Sequence, residues 1–319
     1  MARRVVVAFA IAIGVVGGST GVASAAQPTI PPVTMTHGVV TDSLYVQRPF
    51  IARLPLLSSD NTNLIIDIVA GVICQRYFPA AVESCTPVLA YLGQHGLIAT
   101  LAQARERDAC VRIRFNAGTV MRGVVWPTVE TNPQYCLRYV YGAIGERWMS
   151  LGGSSGPLGY ALTDELGTPN KPGRYNHFRH GSIYWSASTG AWEVHGAIRD
   201  KWASLGWENS FLGFPRTNET PTPRRYGRFN HFQGGSVYWS PATGAHEVHG
   251  AIRDLWARMG WENSVLGFPT SDEYAIAGGR RSRFETRQHY PTAGYYTIYG
   301  IDWTPSRGAW AWSMRLPYL

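Results

Sequence analysis

Three side chains able to engage a polar ligand recur together in this chain. Tyr184, Glu193 and His195 return as Tyr238, Glu247 and His249, 54 residues further on. Their chemistry suits a sugar. An aromatic face packs against the C–H face of a pyranose or furanose, while carboxylate and imidazole exchange hydrogen bonds with hydroxyls. These six residues are the candidate ligand-binding set. The histidines of the two "NHF" stretches, His177 and His231, have no clustered ligands beside them in sequence and read as structural, so neither a metal nor a cofactor is expected. Asp200 and Asp254 fall in a first helical turn, where a carboxylate complements the helix dipole.

The candidate set must be held by strands. "GSIYWSASTGAWEVHG" and "GSVYWSPATGAHEVHG" alternate and turn at Thr-Gly, the pattern of a two-stranded hairpin. Strict alternation puts Val237, Trp239 and Val248 inward and Tyr238, Glu247 and His249 outward, with Tyr184, Glu193 and His195 equivalent. Ahead of each hairpin lies a short helix. Ile198, Trp202 and Leu205 share one of its faces, as do Ile252, Trp256 and Met259, and Gly206 can end the helix with positive φ.

The whole segment repeats. "GAIGERW" at 142, "GAIRDKW" at 196 and "GAIRDLW" at 250 are equally spaced, and residues 196–219 match residues 250–273 at 17 of 24 positions. "GWENSFLGFP" and "GWENSVLGFP" close each helix. In the irregular corner Leu212-Gly213-Phe214-Pro215, repeated as Leu266-Gly267-Phe268-Pro269, the phenylalanine is an apolar plug. The glycine allows a left-handed or close backbone approach, and the proline prevents a return to helix. These residues, with Trp148, Trp202 and Trp256, read as architecture. One helix and one hairpin cannot bury a core alone, so the units must stack.

On these residues the chain resembles the LGFP-repeat family of exported actinobacterial cell-wall proteins. "LGFP" stands at 212–215 and 266–269, with a degenerate "LGYA" at 158–161, inside matching helix and hairpin contexts across residues 142–312. The resemblance implies a non-catalytic module that holds a protein on the envelope, with arabinogalactan-type polysaccharide as ligand. It also implies repeats set around a pseudo-symmetry axis like propeller blades. The expected fold class is therefore α+β: tandem helix–LGFP turn–β-hairpin repeats, preceded by a small, mainly helical, disulfide-stapled domain.

The rest of the 319 residues sets the boundaries. Residues 1–25 read as a signal peptide: Arg3 and Arg4, an apolar run over 5–16, then Ala23-Ser24-Ala25. That run is too short to span a bilayer, which takes roughly twenty residues. Residues 26–60, rich in proline and threonine, read as a linker or arm. Residues 61–141 read as a helical-plus-hairpin domain, and 142–319 as repeats in units near 142–195, 196–249 and 250–319. Cys74, Cys85, Cys110 and Cys136 all precede the repeats; an exported chain with an even count points to two disulfides, three pairings being possible. Cys74–Cys85 with Cys110–Cys136 is preferred, because the latter two close the ends of a stretch that reads as a hairpin, "CVRIRFNAGTVMRGVV…YCLRYV". A zinc site is the weaker alternative, since no C-x-x-C pair is present.

Net charge is +8, falling to +6 without Arg3 and Arg4, which favours anionic surfaces or polymers over nucleic acid in an exported chain. Gly152-Gly153-Ser154-Ser155-Gly156 matches G-x-S-x-G, yet it follows a helix instead of a strand. The reading is a secreted, non-enzymatic wall-binding protein with no membrane span once mature. The alternatives are a wall hydrolase or esterase, or an adaptor whose residues 61–141 capture another exported protein.

Overall fold

The computed structural model describes residues 33–37, 41–55, 57, 61–77, 96–116, 125–288 and 295–317. The expected signal peptide and Cys85 lie outside these described residues, so the Cys74–Cys85 pairing does too. Cys110 and Cys136 form the expected disulfide.

Leu44 and Val46 alternate with Ser43 and Tyr45, and this period of two makes a strand of a stretch that its prolines and threonines disguise as linker. Strands β1 (Val33–Thr36) and β2 (Thr41–Val46) join β3 (Cys110–Asn116) and β4 (Val125–Glu130) in an antiparallel sheet of order β1-β2-β3-β4. Residues 33–37 and 41–54 thus join a packed sheet and helix where an arm was expected: Val33, Leu44 and Val46 are fully buried. Helices α1 (Arg48–Arg53), α2 (Thr62–Tyr77) and α3 (Ile98–Glu106) cover the sheet. The helical period over α2 buries Ile65, Val69 and Ile73 against Val111 and Ile113. Among the described residues this region combines the helices with a four-stranded sheet.

Each repeat opens with a helix: α4 (Gly142–Ser150), α5 (Gly196–Ser204) and α6 (Gly250–Met259). A 3-10 turn and the LGFP corner follow. The hairpin expected next is half of what is present. Every unit carries a four-stranded antiparallel meander: β5 (Leu166–Gly167), β6 (Arg174–Phe178), β7 (Gly181–Ser186) and β8 (Gly190–His195), then β9 (Thr220–Pro221), β10 (Arg228–His231), β11 (Gly235–Ser240) and β12 (Gly244–His249). The last is β13 (Tyr274–Ile276), β14 (Gly279–Gln288), β15 (Tyr295–Thr304) and β16 (Gly308–Pro317). The four sheets of the described chain remain separate.

The cores lie between units. Helix α5 packs on β7 and β8 of the sheet before it and on β11 and β12 of the sheet after it. Ile198 and Trp202 of that helix therefore share one cluster with Tyr184 and Val194 behind, and with Leu212, Phe214, Phe232 and Val237 ahead. Ile252 and Trp256 repeat the arrangement with Tyr238, Val248, Leu266, Phe268, Phe284 and Ile301. Burying each such aromatic or aliphatic side chain contributes about 1.5–3 kcal/mol. Two glycines show how close the units come. A Cβ on Gly173 would sit 2.5 Å from the Phe214 ring, and one on Gly227 would sit 2.5 Å from the Phe268 ring and 2.6 Å from the Trp239 carbonyl oxygen. The LGFP phenylalanine of one unit thus rests on a glycine of the unit before. Gly227→Ala should cost roughly 1–3 kcal/mol in chemical denaturation, since backbone on one side leaves the added methyl no way out.

The corner behaves as its sequence demands. Gly213 has φ 69° and Gly267 φ 68°, while Pro215 and Pro269 bridge to Phe232 and Phe284. Trp202 Nε1 donates to the Gly213 carbonyl, as Trp148 Nε1 does to that of Gly159. In the degenerate first corner Leu158 and Ala161 are buried, and Tyr160 turns its hydroxyl to accept a 2.8 Å bond from Arg179.

Candidate functional site

The register separates the Tyr–Glu–His set. Tyr184 lies opposite Trp192 and Tyr238 opposite His246, whereas Glu193 lies opposite Ile183, Glu247 opposite Val237, and the end histidines His195 and His249 opposite Gly181 and Gly235. Opposed residues share a face, so each tyrosine sits on the other side of the sheet from its glutamate and histidine. The outward placement of the tyrosines is also overturned: Tyr184 is 3% and Tyr238 2% exposed, each edge-on to the next helix's tryptophan at 4.6 Å. The physical cause is that the first two repeat sheets have a helix on both faces. Alternation then divides two interiors instead of an inside from an outside.

Glu193 and His195 meet Glu219 and Arg228 of the next unit. The Glu219 N–H donates to Glu193 Oε1 at 3.0 Å, and His195 lies 3.4 Å from Glu219 Oε2 and 3.7 Å from Glu193 Oε2. Both carboxylates are almost wholly buried, and each keeps one oxygen without a hydrogen bond. Burial pushes Glu193 up to about 7; burial and the charge of Glu193 do the same to Glu219. The second copy is tighter. His249 Nδ1 stands 2.7 Å from Glu247 and Nε2 3.3 Å from Glu273, and Arg280 donates to Glu273. Burial there opposes protonation of His249, but the hydrogen bond and the charges of Glu247 and Glu273 outweigh it and hold the imidazole above its usual value. Against the N-terminal sheet the same positions are Tyr139 and Tyr141, whose backbone N–H groups donate to Asp164 and Glu165. This carboxylate junction joins units and turns little of itself to solvent.

The opposite face builds something more open. Directly after Gly206, which is left-handed at φ 103°, Trp207 is left-handed as well at φ 56°; Gly260 and Trp261 copy this at 101° and 57°. A bulky residue there carries backbone strain of about 1–3 kcal/mol and persists only where its surroundings force it. The strain aims each indole back at the preceding sheet. Trp207 stacks on Tyr184 at 5.8 Å and meets His177 at 5.6 Å, Tyr175 stacks on Tyr184 at 5.0 Å, and the Arg199 guanidinium lies over Trp207 at 5.2 Å. Phe229, His231, Tyr238, Arg253 and Trp261 reproduce every contact within a few tenths of an ångström. Tyr175, His177, Arg199 and Trp207 are all half-buried, so the row keeps an open side.

Its hydrogen bonding is defined. Arg199 Nε donates to Ser182 Oγ at 2.7 Å, and Ser182 Oγ lies 2.7 Å from His177 Nδ1; Arg253, Ser236 and His231 match. Arginine only donates, so the serine oxygen accepts from it; which of the serine hydroxyl and Nδ1 donates to the other is set by the imidazole tautomer, and the neutral ring carries one N–H in either case. Burial, then the nearby Arg199 or Arg253, lowers His177 and His231 to about 4, so both rings are neutral near pH 7. Asp200 and Asp254 stay exposed beside these arginines.

Sequence reasoning placed His177 and His231 among structural residues and passed over Trp207 and Trp261 as parts of the corner. The available signal was the identity of "GWENS" in two copies against Gly152-Gly153 in the first, where glycine takes the strained position. Among the described residues no group of three or more His, Cys, Asp or Glu is placed to hold a metal ion. Comparison with known families gives two matches to the LGFP repeat, over residues 158–210 and 212–264. No curated protein matches the chain. Each matched segment runs from one LGFP or LGYA corner, through a sheet, to the next "GWENS", and with these two copies the chain is an LGFP-repeat protein.

Proposed function

We propose that this protein is exported, associates with the cell wall, and binds wall polysaccharide of arabinogalactan type without acting on it chemically. LGFP repeats suggest a cell-wall-associated protein. One observation supports the binding reading above the rest: the half-open row of Tyr or Phe, His, Trp and Arg is built twice, 54 residues apart, around a strained tryptophan. Aromatic faces suit sugar C–H faces, and the imidazole and guanidinium N–H groups suit hydroxyl oxygens. Two equivalent sites on one chain raise avidity for a repeating polymer well above either alone. We take the successive four-stranded sheets as blades of an open, propeller-like array.

The non-catalytic reading rests on context. Residues 152–156 follow helix α4 and hold a 3-10 turn (Gly153–Ser155), not the strand-to-helix elbow that a serine nucleophile uses. Among the described residues no helix is long and apolar enough to cross a membrane. Residues 61–141 remain available to hold a second exported protein.

Retention of the mature chain on insoluble wall tests the proposal. Trp207→Ala and Trp261→Ala should each lower retention several-fold, and the pair by more than tenfold, with free arabinogalactan competing. A doubly substituted protein with unchanged circular dichroism that is retained like the parent would end this reading.

A further inference from the structure

The third repeat sheet changes its sequence at the positions that face the next helix in the first two. Counting back from the phenylalanines that bridge to the LGFP prolines, His231 corresponds to Arg283 and Phe229 to Arg281; across the ladder Tyr238 corresponds to Asp302. Positions that carry aromatic and imidazole rings beneath the next helix in the first two sheets here carry charge. The register sets Arg283, Gly300 and Trp312 in one row and Arg281, Asp302 and Trp310 in the next, all on one face.

Two features make this face more than a polar cap. Trp312 is fixed: its Nε1 donates to Asp302 at 2.7 Å, the Arg281 guanidinium lies over its ring at 4.7 Å, and a Cβ on Gly300 would fall 2.3 Å from that ring. The indole therefore lies flat across the glycine. Arg281 is neutralised by a two-pronged pair with Asp302, both bonds 2.7 Å. Arg283 is not. It is exposed, has no carboxylate within ion-pair distance among the described residues, and its backbone is pinned by Thr270 N–H and Ser271 Oγ. It lines a cleft of about 430 Å³ with Thr270, Ser271, Tyr274, Ile298 and Tyr299. A guanidinium held 6.0 Å over the Tyr274 ring, with no acidic partner among the described residues and with hydroxyls and phenols around it, complements a sugar bearing negative charge.

We propose that this cleft is a separate binding site for an anionic sugar, its carboxylate or phosphate on Arg283 and its hydroxyls against Thr270, Ser271 and the tyrosines beside them. The site shares no residue with the two Trp207 and Trp261 rows, and it does not depend on their ligand. Calorimetric titration of the full mature chain compares a glucuronate disaccharide, glucose 6-phosphate, glucose and inorganic phosphate. At least one acidic sugar should bind tenfold or more tighter than glucose, weaken as salt rises, and reveal by its identity which charged group is preferred. Arg283→Gln should weaken it about tenfold, Arg283→Glu should abolish it, and the Trp207→Ala, Trp261→Ala double variant should leave it unchanged. Glucose binding as tightly as both acids, inorganic phosphate matching the sugar phosphate, or an unaltered affinity in Arg283→Gln would overturn the proposal.

Discussion

Trp256→Ala is expected to remove about 3–5 kcal/mol of stability, among the largest single losses in the repeats. Trp256 is fully buried and meets Tyr238 of the sheet before it at 4.6 Å, Phe284 of the sheet after it at 5.4 Å, and Trp261 at 5.2 Å. Truncation would leave a cavity walled by two units, which neither can fill without moving against the other. Trp148, only half-buried at the same place in the first helix, should lose clearly less on the same change. Chemical denaturation of the full chain, with near-ultraviolet circular dichroism on the remaining tryptophans, measures both. Equal losses at the two positions would show that the helices do not interlock their neighbours as described.

The second large effect depends on pH. Glu193 and Glu219 hold their protons up to about 7 because they are buried, against an ordinary value of 4.5 for a glutamate. A carboxyl whose pKa is raised on folding contributes stability that is complete below about 4.5 and is lost as pH rises through 7. Glu193→Gln fixes the neutral form. Relative to the parent it should therefore gain stability between pH 5 and 8, by roughly 2 kcal/mol at the upper end. The comparison must be a difference. His177 and His231, held down to about 4, lose stability as pH falls from 6.5, the opposite trend, and they cancel between parent and variant. Denaturation midpoints of both proteins from pH 5 to 8 decide it. A constant offset across that range would place the proton elsewhere.

The helices were legible because Ile198 and Trp202 obey the 3.6-residue period and Gly206 ends the turn with positive φ. So was the corner, since Gly213 and Pro215 each permit few conformations, and the Cys110–Cys136 bridge, since its cysteines flank a hairpin. The missing strands were not. Thr220–Pro221 pairs through two residues, and Arg228–His231 shows no apolar alternation, so neither advertises a strand. The face assignment failed for a different reason. Alternation separates the two sides of a ladder, but it does not say that Trp202 will cover the side bearing Tyr184. The aromatic row was hidden by distance as well: His177 and Trp207 come from different units and meet only when those units stack.

Because every Trp207-type row takes its histidine from one sheet and its indole from the next unit, the ligand-binding valency of such a chain counts seams instead of modules. Three units make two complete rows here, and grafting in a fourth between the second and third would add one. A lone unit, however soundly it folded, would own half of each of two incomplete surfaces and bind through neither.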